Sequence, residues 1–427
     1  MADVRVSKLH TVNGEISLPG DKSVSHRAAM LASIAHGTSI IKNFSTAIDC
    51  QSTLDCMRQL GVAIHRDINN IHVRGKGLRA LSKPGDVLNC GNSGTTMRLL
   101  CGLLAGQDFS AKLTGDASLS RRPMDRIIKP LVNNGADITG EKDNRFAPLT
   151  INGKALNNIH YKLPVASSQV KSAVLLAGLY AGGAVSVVEP VKTRDHTERM
   201  LDYCGVDISR DGNVITLGEN RQPGAREFVV PGDISSAAFL IALGLLIPGG
   251  ALCIKDVGIN PTRTGLLTVL EKMGADIRID NERLVSNEPV GNLIVRNAKL
   301  RAVDIGGALI PKLIDELPLL AVIATQAQGR TVVHDALELR VKESDRIAAI
   351  VAELKKMGAS IEETGDGFIV DGPTPLKGAE CSSYNDHRIA MALSVAGWTA
   401  DGETVIKDAD CVGISCPEFF DLVGSVT

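Results

Sequence analysis

Two kinds of hydrophobic segment alternate along the chain. In stretches such as SHRAAMLASIAH (25–36) and QVKSAVLLAGLY (169–180), apolar residues occupy nearly every face of a helix, which predicts helices buried all round. In stretches such as CQSTLDCMRQL (50–60) they keep to one face, predicting an amphipathic helix that stops at the next glycine. Short β-branched runs follow the buried helices and read as strands. VDISRDGNVITLG and ASIEETGDGFIVDG read as strand, turn and strand, the Asp-Gly pair favouring a tight hairpin.

The pattern repeats. A helix end, a glycine and a short strand recur at Gly61, Gly135, Gly205, Gly274, Gly358 and Gly424, a period of about 70 residues. A second marker, glycine followed by a β-branched strand, keeps step at Gly37, Gly106, Gly183, Gly250, Gly329 and Gly402. Six copies of one supersecondary unit follow. The sixth stops before its hairpin, and VRVSKLHTVNGEISLPG at the other end has strands but no helix before it. Residues 1 to about 20 are therefore expected to complete the sixth repeat. Three repeats per domain put one domain at 21–230 and the other at 1–20 plus 231–427, with hinges near 19–21 and 231–235, at the LPGD and VPGD crossings.

Composition narrows the class. Of 427 residues, 44% are hydrophobic and 22% charged, enough to build proper cores and too apolar for disorder. Lys plus Arg is 46 against 48 Asp plus Glu, so there is no basic excess of the kind that nucleic-acid and membrane-surface binders show. Nine cysteines without a C-x-x-C pair support neither a disulfide framework nor a zinc site. The longest apolar run, Ala237 to Ile247, is far short of the roughly 20 residues that span a bilayer. A cytoplasmic protein, monomeric because its repeats close on themselves, is the expectation.

Chemistry concentrates where the buried helices begin. Asp21-Lys22-Ser23 leads to Arg27, Asn92-Ser93-Gly94 to Arg98, Ser167-Ser168-Gln169 to Lys171, and Asn385-Asp386-His387 to Arg388; Asp233 and Asp315-Glu316 open the other two. Ser, Asn and Asp there are ordinary N-caps. Basic residues on otherwise apolar helices need a partner or an anionic ligand. The second helices add Arg121, Arg122 and Arg126, then Arg194, His196 and Arg199, then Arg340, Lys342, Glu343 and Arg346. Helix dipoles, hydroxyls and guanidiniums together suit a small polyanion carrying phosphate and carboxylate groups. GDKS lacks the second glycine of a P-loop, and RDHTERM lacks zinc-site spacing, so His196 reads as a hydrogen-bonding or salt-bridging group.

PGDKSVSHR, GNSGTTMRLL, SLSRRPM, SSQVKSA, RVKESDRI and YNDHRIAMAL together resemble the enolpyruvyl transferase family, and RDHTE resembles a second bacterial branch of its members that act on shikimate 3-phosphate. The resemblance runs the length of the chain. It implies a two-domain fold of six βαβαββ-type repeats, an inside-out α/β barrel in each domain, working on phosphoenolpyruvate and shikimate 3-phosphate with no metal or organic cofactor. By motif it implies that Lys22, Ser23, Arg27, Ser167, Ser168, Gln169, Arg194, Asp315 and Lys342 hold shikimate 3-phosphate. It places Lys22, Gly94, Arg122, Gln169, Arg346, His387 and Arg388 at phosphoenolpyruvate. Asp315 and Glu343 would divide the proton transfers, Asp315 at the substrate hydroxyl and Glu343 at C3, while Lys22 stabilises charge at the transferred centre. The neighbouring Lys342 and Arg346 would depress the Glu343 pKa, which burial would have to offset.

Two departures stand out. GISCPEFF has no lysine where the better-known branch carries one, and Leu99 stands where that branch has proline. The nearest alternative is the enolpyruvyl transferase acting on UDP-N-acetylglucosamine, though that group pairs Lys with Asn where this chain has Lys22-Ser23. A non-catalytic sugar-phosphate-binding repeat protein is the alternative of another class. It would have no need of Asp315 and Glu343.

Overall fold

The segments that are apolar all round form the helices Lys22–Ile34, Gly94–Ala105, Ser168–Gly178, Ile234–Leu246, Leu317–Thr325 and His387–Thr399 in a computed structural model that describes residues 2–68 and 70–427. They are buried nearly throughout. Each buried Leu, Ile, Phe or Met side chain contributes about 1.5–3 kcal/mol. Five of the six start at a capping side chain: Asp21, Ser93, Ser167, Asp233 and Asp386 each accept a bond from a backbone N–H of the first turn. The exception is the Leu317–Thr325 helix, where Glu316 occupies the cap position without making that bond.

Two units result. One comprises Gly20–Val230 with Leu284–Glu288; the other comprises the chain up to Pro19, Pro231–Arg283 and Pro289–Thr427. Residues 284–288, the turn of the long hairpin Asp276–Val285 and Glu288–Arg296, thus join the unit whose main body ends at Val230. Each unit has its own apolar core, built around three of the buried helices.

Sheets cover those helices. A buried helix is preceded by a short leading strand and followed by a strand parallel to it, as Ile159–Lys162 is to Val185–Val188. The second strand then pairs antiparallel with the far strand of the next hairpin, so the Val185–Val188 sheet continues through Val214–Leu217 to Ile208–Asp211. Buried and exposed positions alternate along strands such as Ser110–Thr114. Helices inside and sheets outside are the inside-out arrangement that the resemblance implied.

The N-terminus corrects the sequence reading by half. Val4–Ser7 does pair with Glu403–Lys407 and completes the sixth repeat's sheet. Asn13–Ser17 instead lies parallel to Ala251–Gly258 in the fourth repeat. It is the leading strand of the Lys22–Ile34 helix, yet it stays in the unit the chain is leaving. The other crossover mirrors this: Glu227–Val229 leads into the Ile234–Leu246 helix but pairs with His36–Lys42 of the first repeat. The two crossovers exchange leading strands, so both sheets remain four-stranded.

A second correction concerns the basic loops. Leu119–Arg121 and Leu337–Val341 are 3₁₀ turns, and Arg122, Arg194, Lys342 and Glu343 precede the outer helices Asp125–Asn133, His196–Tyr203 and Arg346–Lys356. A loop conformation leaves these side chains near the starts of the buried helices. Helical spacing would instead have spread them round an amphipathic surface.

All nine cysteines are free thiols. Burial pushes Cys101 and Cys204 up to about 12, so almost none is thiolate at neutral pH. Iodoacetamide at pH 8 should label these two only after unfolding; rapid labelling in the native protein, read by mass spectrometry, would contradict their burial.

The packing of the buried helices Gly94–Ala105 and Ser168–Gly178 depends on one missing side chain. A Cβ on Gly102 would overlap the backbone carbonyl of Ala173 on the neighbouring buried helix. Gly102→Ala should lower stability by about 1–3 kcal/mol, as overpacking does. Gly85→Ala, at a site with open space around it, should stay within about 0.5 kcal/mol. Urea midpoints that shifted equally for both would refute the contact.

Candidate functional site

In the unit containing Gly20–Val230, the helix starts and the loops ahead of the outer helices form one polar cluster. Lys22, on the first turn of its helix, reaches Asp49 at 3.0 Å, and both are largely buried. Arg27 lies one turn further in. Its Nε donates to Thr197 Oγ1 at 2.7 Å, Nη2 to Ser172 Oγ at 2.9 Å and Nη1 to the Ser23 carbonyl at 2.9 Å. Burial pushes its pKa down to about 10, partly opposed by Glu198, which still leaves a cation at neutral pH. His26 is held well below its usual range by burial and by Lys22 and Arg27, so it is a neutral hydrogen-bonding group, with Nδ1 2.6 Å from Thr53 Oγ1. Arg194 lies close enough to act electrostatically on Arg27.

The third repeat supplies an ion network centred on the fully buried Lys171 and Glu189. Lys171 Nζ is 3.1 Å from Glu189 and 2.7 Å from Glu198, and Arg210 reaches Glu189 at 2.7 Å. Burial raises the Glu189 pKa, but Lys171 and the Thr193 bonds outweigh it and leave the carboxyl below its usual range. Lys171 is thus one of the basic helix residues explained by a partner. His196 lies 2.8 Å from Glu288, in keeping with the sequence reading of it as a bridging group.

Gly94 sits where two guanidiniums converge. A Cβ there would lie 3.0 Å from Arg98 Nη1 and 3.6 Å from Arg122 Nη1. Arg98 donates to Gln169 Oε1 at 2.6 Å, and Gln169 in turn donates to Thr95 Oγ1 at 3.1 Å. Arg122 Nη2 donates to Asn92 Oδ1 at 2.6 Å and to Ser118 Oγ at 3.2 Å. Ser167 caps its helix, with Ser168 and Gln169 on the first turn. Lys22, Ser23, Arg27, Gly94, Arg122, Ser167, Ser168, Gln169 and Arg194 therefore all belong to this unit, at or near helix starts, where N–H groups and the dipole favour anions.

In the other unit the hub is Arg346. Its Nε and Nη2 donate to Asp386 at 2.8 and 3.2 Å, Nη2 also donates to Glu343 at 2.6 Å, and Nη1 reaches Asp315 at 3.4 Å. Burial works against its charge, but Asp386 and Glu343 outweigh that and raise its pKa above the ordinary arginine value. Lys342 approaches Asp315 from a second side at 3.4 Å. Asp315 and Glu343, far apart along the fifth repeat, are thus gathered round one guanidinium, and Asp386 joins them from the sixth. Two left-handed residues, Tyr384 and Asn385, turn the chain so that Asp386 caps the His387–Thr399 helix, and the Tyr384 hydroxyl donates to the buried Glu353 at 2.8 Å. His387 is buried at the first position of that helix.

Arg388 completes this cluster, with Nη1 3.7 Å from Glu316 and 3.5 Å from the Ser235 carbonyl. Cys416, in the stretch that lacks the expected lysine, lies close enough to Arg388 to feel its charge; burial pushes the thiol up to about 12, so it adds no charge of its own. Sequence reasoning did not find Asp49, Thr197, Glu189 or Arg263. Arg263 was within reach, because Asn260-Pro261-Thr262-Arg263 occupies the place in the fourth repeat that Arg122 holds in the second. The partners Asp49, Thr197 and Glu189 carry no local pattern.

Comparison with known proteins shows the family of the whole chain. Residues 6–423 match the family described as EPSP synthase (3-phosphoshikimate 1-carboxyvinyltransferase). The 3-phosphoshikimate 1-carboxyvinyltransferases of Pelotomaculum thermopropionicum and Thermoanaerobacter sp. (strain X514) are 52% and 51% identical to it, covering 99% and 98% of both chains. An EPSP synthase structure from Acinetobacter baumannii superposes with a TM-score of 0.87 at 42% identity, over 99% of this chain and 96% of that one. The enolpyruvyl transferase NikO from Streptomyces tendae, 16% identical with a TM-score of 0.79 over 99% of this chain and 96% of its own, shares the fold. Matched from end to end and at half identity, the chain belongs to the EPSP synthase family.

Proposed function

We propose that the two polar clusters serve one reaction, the transfer of the enolpyruvyl group of phosphoenolpyruvate to the 5-hydroxyl of shikimate 3-phosphate, releasing phosphate. The enzyme is a 3-phosphoshikimate 1-carboxyvinyltransferase of aromatic amino-acid biosynthesis. The observation that carries the assignment of roles is the gathering of Asp315 and Glu343 about Arg346, with Lys342 beside Asp315.

The reaction adds and then eliminates. The 5-hydroxyl oxygen bonds to C2 of phosphoenolpyruvate and loses its proton while C3 gains one. The tetrahedral adduct then loses a C3 proton and phosphate, restoring the double bond. Asp315, with Lys342 beside it, accepts the hydroxyl proton, and Glu343, fixed by Arg346, serves C3. Lys22 stabilises the charge developing at the transferred centre.

Anion binding is divided among the helix starts. Ser23, Arg27, Ser167, Ser168, Gln169 and Arg194 hold shikimate 3-phosphate, with Lys22, Asp315 and Lys342 at its ring. Gly94, Arg122, Gln169, Arg346, His387 and Arg388 take phosphoenolpyruvate together with Lys22. Two phosphorylated small acids need a dense set of donors, and charge-assisted bonds to guanidinium and backbone N–H are the strong ones. No helix among the described residues is long and apolar enough to cross a membrane. We assign the enzyme to the cytoplasm, acting as a monomer; light scattering should return the mass of one chain, and a stable dimer would overturn that assignment.

Phosphate release is the discriminating assay. Phosphoenolpyruvate with shikimate 3-phosphate should give turnover, and phosphoenolpyruvate with UDP-N-acetylglucosamine should give none. The reverse result would move the chain to the other acceptor. Asp315→Asn and Glu343→Gln should each lower kcat by about 10²–10⁴-fold, with KM for shikimate 3-phosphate changing by less than about threefold. Near-normal turnover in either purified variant would reject that residue's role.

A further inference from the structure

Arg388 is 7% exposed, yet among the described residues its guanidinium makes one long hydrogen bond, Nη1 to the Ser235 carbonyl at 3.5 Å. A buried guanidinium with five donors and so few partners is costly unless an anion completes its set. Recognition of a carboxylate or phosphate by a planar fork also demands that the fork be aimed. Something must hold Arg388 in place before the ligand arrives.

The candidate is Glu316. It occupies the cap position of the Leu317–Thr325 helix, but its carboxylate is not used for capping, unlike the cap side chains of the other five buried helices. Instead Oε1 accepts a very short bond from Ser235 Oγ and lies 3.7 Å from Arg388 Nη1. Ser235 is fixed from its other side, since Arg263 Nη2 donates to Ser235 Oγ at 2.6 Å and stands 3.7 Å from Asp233. Arg263, Ser235 and Glu316 are all nearly inaccessible. The chain of contacts runs Arg263, Ser235, Glu316, Arg388, and crosses the starts of all three buried helices of this unit.

We propose that Glu316 is a positioning residue for the transferase reaction: anchored through Ser235 by Arg263, it aims the Arg388 guanidinium at phosphoenolpyruvate. This rests on the placement of phosphoenolpyruvate at Arg388. Glu316 acts through Arg388, so its loss falls on one substrate. A residue needed only for folding would affect both substrates together.

The test is steady-state phosphate release with each substrate varied in turn, on wild type, Glu316→Gln, Arg388→Lys and the double variant, alongside thermal melts. Glu316→Gln keeps a partner for Ser235 and removes the charge facing Arg388. It should raise KM for phosphoenolpyruvate about tenfold, with KM for shikimate 3-phosphate within about twofold and Tm near wild type. In the Arg388→Lys background the same change should add little, because the fork it aims is already gone. If Glu316→Gln does not fold, Ser235→Ala should show the same one-sided rise in KM at smaller size. An unchanged KM for phosphoenolpyruvate, parallel shifts of both KM values with Tm, or additive effects in the double variant would each overturn the proposal. A wild-type enzyme that releases no phosphate would instead overturn the functional reading, and this one with it.

Discussion

Everything distinctive about this protein follows from burying a helix that begins with polar groups. A helix that is apolar on all sides can sit inside a ring of sheets, but its first turn still presents N–H groups that must be paired. Six such helices create six polar points at one end of otherwise apolar cores. At five of them Asp21, Ser93, Ser167, Asp233 and Asp386 each pair one of those groups locally. Charged groups buried beside those points must be paired, and the loops ahead of the outer helices bring many of the partners.

The two clusters solve the charge problem differently. Around Arg346, carboxylates outnumber the guanidinium they surround, and Lys342 adds a second cation at the edge. Around Arg27, neutral hydroxyls of Ser172 and Thr197 do most of the holding, and the carboxylates Glu189 and Glu198 are turned to Lys171. A cation held by hydroxyls keeps its field for a dianionic phosphate. A cation held by carboxylates fixes those carboxylates in place, as the proposed proton-transfer roles of Asp315 and Glu343 require.

The sequence made the buried helices and most of the capping residues legible, because each depends on a pattern spanning a dozen residues or fewer, and the repeat legible because its short glycine markers recur six times in step. It also placed Lys22, Asp315 and Arg388 at helix starts. What it could not show were pairings set by the tertiary fold. Arg27 meets Thr197 across 170 positions, and neither residue's surroundings announce the other. Leading strands such as Leu88–Asn89 and Asp304–Ile305 are two residues long, too short for alternation to register. The exchange of leading strands at the crossovers was misread for a related reason: Asn13–Ser17 carries no mark of which parallel partner it will find.

That exchange has a consequence for how the protein is made. Residues 2–19 are translated before their partners, so Asn13–Ser17 waits for Ala251–Gly258 and Val4–Ser7 for Glu403–Lys407. Residues 20–230 include the partner of their own crossover strand and can close their sheets as soon as they leave the ribosome. The nascent chain therefore carries two unpaired strands until the fourth repeat emerges to take Asn13–Ser17, and one of them, Val4–Ser7, until the sixth supplies its partner.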